Sequence, residues 1–194
     1  MALDIVILGP PGAGKGTQAK RISAEAGIPH IATGDMLREA MAAGTELGLR
    51  VKPIYDAGEL VPDDLMIDLI RERIEQDDVE DGFVLDGFPR TMAQAEALDD
   101  MLREIDRPIT VVLQLDVPED VCVERLSKRA QEEGRIDDTP EAIRTRLSLY
   151  RRETEPVIEH YRAQGNLVVI HGDRPVDEVF SEIQDALEQA AVRQ

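Results

Sequence analysis

Two glycines with four residues between them, Gly9 and Gly14, and a lysine directly after the second stand out in Gly9-Pro10-Pro11-Gly12-Ala13-Gly14-Lys15-Gly16-Thr17. The apolar run Leu3, Ile5, Val6, Ile7 and Leu8 precedes them, and Thr17 to Ala26 has a helical pattern. Strand, glycine-rich turn, lysine, helix is the layout of a loop that cradles phosphate groups. Glycines let the chain turn tightly and aim several N–H groups inward. The helix N-terminus adds partial positive charge and free donors, and Lys15 adds a full charge for the outer phosphates. The residue after Lys15 is Gly16, with the hydroxyl one place later at Thr17. The usual hydroxyl contact to magnesium is therefore missing from its place.

A second group of residues suits the same chemistry. Asp86 ends the apolar run Gly82-Phe83-Val84-Leu85, where an acid can orient magnesium or its waters beside such a loop. Gly87-Phe88-Pro89-Arg90 follows at once. Arg125 and Arg129 are four residues apart and share a helix face. Arg135, Arg144 and Arg146 follow on the next segments. Arginine is suited to the charge that builds on transferring phosphoryl oxygens. Cys122 is the only cysteine, so neither an internal disulfide nor a cysteine-based zinc site can form. His30, His160 and His171 read as structural or surface residues with no metal role.

These residues need a frame. Short apolar runs at 30–32, 82–86, 110–115 and 167–170 join the first as strands. Helical patterns separate them: Met36 to Ala43, a stretch capped by Thr45 to about Ala57, Asp63 to Gln76, Thr91 to Ile105, Pro118 to about Ala130, Pro140 to about Ala163, and Val176 to Val192. Continuous apolar strands alternating with helices predict a parallel α/β sheet buried on both faces. Residues 34–76 and 118–163 carry more helix than the alternation needs. Both read as insertions over the carboxyl ends of the strands, where such sheets place ligands.

The 194 residues bound the chain to one large domain, and 42% hydrophobic content allows a sizeable, mostly aliphatic core. A net charge of −18 opposes nonspecific binding to nucleic acid or to anionic membranes. It also opposes an anionic ligand, so a phosphate site must concentrate local positive charge. Lysine occurs only at 15, 20, 52 and 128, which leaves arginine to supply most of it. No stretch approaches the roughly 20 apolar residues of a membrane span. The first strand begins almost at once, without a signal-peptide pattern, and the cytoplasm is the expected compartment.

Four motifs, in order and spacing, closely resemble the adenylate kinase family. They are Gly9 to Gln18, Thr33-Gly34-Asp35-Met36-Leu37-Arg38, Gly58-Glu59-Leu60-Val61-Pro62-Asp63, and Leu85-Asp86-Gly87-Phe88-Pro89-Arg90-Thr91. The resemblance implies a P-loop-type five-stranded parallel sheet with helices on both faces. It implies a core of 1–33, 77–127 and 139–194, a monophosphate-binding insertion at 34–76 and a short lid at 128–138. It implies reversible transfer of a phosphoryl group from MgATP to AMP, giving two ADP, by a monomer that needs Mg²⁺ and no lid zinc. Gly12, Ala13, Gly14, Lys15, Gly16 and Thr17 would hold ATP, with Arg129 stacking on or contacting it and the backbone near Arg174 against its base. Thr33, Arg38, Glu59, Leu60, Val61, Gly87, Phe88, Pro89, Arg90 and Gln94 would hold AMP. Arg135 and Arg146 would clamp phosphates across both substrates, supported by Arg125. Lys15, Arg90 and these four lid-side arginines form the catalytic set, and Asp86, with Thr17 as a second candidate, would steer magnesium waters. The closest alternative is a kinase for UMP or CMP. Thr33 and Gln94 favour adenine, because Gln94 can pair with that base through both ends of its amide.

Overall fold

The computed structural model describes residues 2–135 and 138–192. Five parallel strands form one sheet: β1 (Leu3–Leu8), β2 (His30–Ala32), β3 (Gly82–Asp86), β4 (Val111–Asp116) and β5 (Leu167–His171), in the order β2-β3-β1-β4-β5. Ile5 pairs with Val84 on one side and Val111 on the other, so β1 is central. The chain leaves β1 toward one edge of the sheet and β4 toward the other. Their carboxyl ends therefore flank a crevice, the usual ligand position in such sheets.

Alternate residues of each strand feed opposite faces. Val6, Leu8, Phe83, Leu85 and Val112 pack with α4 (Asp63–Ile74), α5 (Met92–Glu104) and α8 (Glu155–Gln164). Ile5, Ile7, Val84, Leu113 and Ile170 pack with α1 (Lys15–Ala26) and α9 (Val176–Val192). Burial on both faces is why the strands read as unbroken apolar runs rather than alternating ones. Cys122 is a buried core thiol, in agreement with its apolar neighbours.

Some boundaries differ from the sequence reading, and each difference has a local cause. Helix α2 (Thr33–Ala42) begins three residues earlier than Met36, because Thr33 enters it directly from β2. Helix α3 (Glu46–Asp56) starts where expected, with Thr45 accepting a bond from the Gly48 N–H. Helix α6 (Glu119–Glu133) runs beyond Ala130 and stops at Gly134, which takes the left-handed conformation. The expected single helix from Pro140 to Ala163 is two, α7 (Pro140–Leu149) and α8, joined by a π-turn at Tyr150–Thr154. Pro156 lies just after that turn and cannot donate to the helical ladder. In the 128–138 segment, Ile136 and Asp137 lie outside the described residues. Among the described residues no helix is long and apolar enough to cross a membrane.

Candidate active site

The loop after β1 closes around its own lysine. Lys15 Nζ donates to the carbonyls of Gly9 and Pro10, both at 3.0 Å. The Ala13 N–H donates to the Pro10 carbonyl at 3.1 Å, tightening the turn. Gly12 must be glycine: its φ is +82°, and a Cβ there would lie 2.7 Å from the Cys122 carbonyl oxygen of α6. Burial pushes the Lys15 ammonium down to about 8, against the opposing pull of Asp86; Arg90 and Arg129 push it the same way as burial.

Asp86, at the end of β3, faces this lysine. Burial alone would raise its carboxyl, but the His30 hydrogen bond and the charges of Lys15 and Arg90 hold it below the usual carboxylate range. His30 Nε2 lies 3.3 Å from Asp86 Oδ2. Read as structural or surface from sequence, His30 lines the same cleft. Its signal was its position, opening the strand that pairs directly with β3.

One cleft of about 460 Å³ gathers most of the expected residues over the carboxyl ends of the strands. The loop contributes Gly12, Gly14, Lys15, Gly16 and Thr17, and the 34–76 segment contributes Arg38, Glu59 and Leu60. Gly87, Phe88, Pro89 and Arg90 line it from the turn after β3; Arg125, Arg129, Arg135 and Arg146 line it from the opposite side. Ala13, Thr33, Val61 and Gln94 are buried behind this lining. Arg174 lies outside it, donating to the His171 carbonyl at 3.1 Å and to Glu182.

The arginines are held by specific partners. Arg90 Nε donates to the Gly87 carbonyl at 2.8 Å, and the Thr154 hydroxyl donates to the Arg90 carbonyl at 2.8 Å. That second bond depends on the π-turn, which no pattern in the sequence signalled. Arg38 donates to Tyr55 and Asp35. Arg125 reaches the Ala13 carbonyl at 3.3 Å and the Gly172 carbonyl at 3.1 Å, tying α6 to the loop. Arg129 and Arg146 share the buried carboxylate of Asp138, while Arg135 donates to Glu133 at 2.8 Å. The guanidinium of Arg146 also sits 5.5 Å from the centre of the Tyr55 ring. Asp138 and Tyr55 were not among the residues singled out from the sequence, since one acid among 40 and a helical tyrosine carry no local signal.

Such a site, in a chain of net charge −18, concentrates cations where two anionic groups could meet. Its donor set also bears on magnesium. Among the described residues no three His, Cys, Asp or Glu side chains cluster to hold a metal. Among the described residues Asp86 is the carboxylate whose charge acts on the loop lysine. This fits a cation carried in by a phosphate ligand better than one held in a protein cage.

Comparison with known proteins bears on the same residues. A family model described as "Adenylate kinase" matches residues 7–166. A protein of Stenotrophomonas maltophilia named adenylate kinase is 49% identical over 185 residues, covering 95% of this chain and 99% of the relative. One from a Cyanothece species, of the same name, is 50% identical over 185 residues and covers 95% of each. An Archaeoglobus fulgidus protein of that name is 45% identical over 214 aligned positions, covering 96% of this chain and 99% of the relative.

Proposed function

The chain belongs to the adenylate kinase family and is an ATP:AMP phosphotransferase, and we propose that the cleft above the strand ends is where the transfer occurs. The terminal phosphoryl group of MgATP passes to AMP, reversibly, giving two ADP. The observation that carries this reading is the meeting of Lys15, Asp86, Arg90, Arg129 and Arg146 on one cleft. The relatives above all bear the adenylate kinase name, and none supports the UMP or CMP alternative.

The division of labour follows from the chemistry. The loop from Gly12 to Thr17 holds the ATP phosphates through backbone N–H groups, with Lys15 on the outer ones. Arg38, Arg90 and the 58–61 turn hold AMP on the other side. An oxygen of the AMP phosphate attacks the γ-phosphorus as the bond to the β–γ bridging oxygen breaks. No covalent enzyme intermediate forms. The attacking oxygen is already anionic, so no general base is needed. Positioning and charge stabilisation do the work, and Arg129, Arg135 and Arg146 supply the charge. Magnesium, when bound with ATP, neutralises phosphate charge, and Asp86 would orient its waters, with Thr17 beside it.

Arg38 and Glu59 of segment 34–76 and Arg129 and Arg135 of the lid segment line the cleft, and these two segments act as the closing parts that keep water from taking the phosphoryl group. The substrates are small molecules, and the reading carries with it a monomer working in the cytoplasm. A coupled assay with MgATP and each of AMP, GMP, CMP and UMP tests the reading. ADP formation should depend on AMP; its absence with AMP rejects the proposal, and equal turnover on CMP rejects adenine reading by Gln94.

A further inference from the structure

We propose that Asp63 is a positioning residue for base selection, because it locks the Gln94 amide in the one orientation that matches adenine. This rests on the assignment of Gln94 to the AMP base. Gln94 is 2% exposed, and both ends of its amide are engaged by protein. Its Oε1 accepts from the Arg90 N–H at 2.8 Å. Its Nε2 donates to Asp63 Oδ1 at 2.8 Å. The same carboxylate oxygen accepts from the Thr91 hydroxyl at 2.9 Å, which holds the acid in place.

These partners are not interchangeable. A backbone N–H can only donate, and a carboxylate oxygen accepts, so the amide cannot turn over without setting donor against donor and acceptor against acceptor. Each end keeps one bonding position: a lone pair on Oε1 and an N–H on Nε2. That pair matches the adenine edge, which offers an N6 amino donor beside the N1 acceptor. Hypoxanthine and guanine offer the reverse, a carbonyl at C6 beside an N1–H. Reading them would require the flipped amide. The lock therefore acts against the wrong base as much as for the right one. Asp63 is the first residue of α4 and Gln94 lies on α5, so the bond also joins the 34–76 segment to the core.

The test is the ratio of kcat/KM for AMP to that for IMP, which differ only at this edge. The ratio cancels general damage to the fold. Wild type should favour AMP at least tenfold. Asp63→Ala should cut that ratio by about tenfold, the scale of one mismatched buried polar contact. Asp63→Ser, too short to reach Gln94 but well suited to a helix start, should do the same and covers an alanine variant that does not fold. Asp63→Asn should keep the ratio, since its amide oxygen still accepts at the Oδ1 position. Equal losses on AMP and IMP in the alanine and serine variants would mean a merely structural role and overturn the proposal. A collapsed ratio in Gln94→Ala with an intact one in Asp63→Ala overturns only the part of Asp63. An unchanged ratio in Gln94→Ala removes the assignment of Gln94 and the proposal with it.

Discussion

Arg129 and Asp138 form a two-pronged pair, Nε to Oδ2 at 2.7 Å and Nη2 to Oδ1 at 2.9 Å. Arg146 joins the same carboxylate at 2.8 Å. The carboxylate is fully shielded while the Arg129 side chain is 32% exposed. Asp138 thus gathers two of the cations that line the cleft. Asp138→Ala should lower stability by about 1–3 kcal/mol, below the cost of breaking a fully buried pair because Arg129 is partly solvated. Urea unfolding midpoints at low salt check this, and an unchanged midpoint would show that the pair contributes nothing.

Lys15 should make nucleotide affinity depend on pH. Burial pushes its ammonium down to about 8 from the usual 10.5. Bound phosphate favours the charged form, so ATP affinity in the free protein should fall as pH rises above 8. Titration calorimetry should see the loss in wild type and little of it in Lys15→Arg. Stability has the opposite sign. Between about 8 and 10.5 the unfolded chain still binds a proton that the folded chain has released, so this group's contribution rises with pH over that window.

Removing the lysine charge should separate catalysis from folding. Lys15→Met should cost on the order of a thousandfold in kcat while the thermal midpoint stays at or above that of wild type. Near-normal turnover in this variant would end the assignment of Lys15.

Gly87 marks a close approach in the turn proposed to hold AMP. Its φ is +86°, and a Cβ there would lie 2.4 Å from Thr33 Oγ1. Gly87→Ala should displace Thr33 from its bond to the Asp86 carbonyl and raise KM for AMP by about tenfold. KM for ATP should change far less. An equal rise for both nucleotides would contradict the assignment of this turn to AMP.

Arg107 offers a control outside the cleft lining. It donates to Asp4 through Nε at 3.1 Å and Nη2 at 2.6 Å, and to the Val79 carbonyl at 2.9 Å. Asp4 is 1% exposed, and burial raises its carboxyl despite the arginine. Arg107→Ala should destabilise the fold by about 3 kcal/mol by leaving that carboxylate buried and unpaired. Nucleotide KM values should not move, which calorimetry and steady-state kinetics can read side by side.

Much of this was legible along the chain because it is local. The loop from Gly9 to Thr17 depends on backbone freedom and one charge, both written in consecutive residues. The strands were visible because sheet burial on both faces demands unbroken apolar runs. Thr45 was legible as a helix cap, since a cap serves an N–H three residues on. What was not legible joins residues distant in sequence. His30 reaches Asp86 across 56 positions, and Thr154 reaches Arg90 across 64. The π-turn that aims Thr154 inward has no residue pattern that announces it.

By itself, then, the sequence determined the chemistry available: a glycine-rich loop with its lysine, a strand-end acid, and enough arginine to concentrate positive charge in an acidic chain. Only the tertiary structure decided which of those groups meet, which carboxylates hold the arginines, and which way the Gln94 amide faces. The reason is physical. Backbone conformation and burial pattern are set by near neighbours, whereas a charge or an amide takes its role from whatever partner the fold brings within about 3 Å.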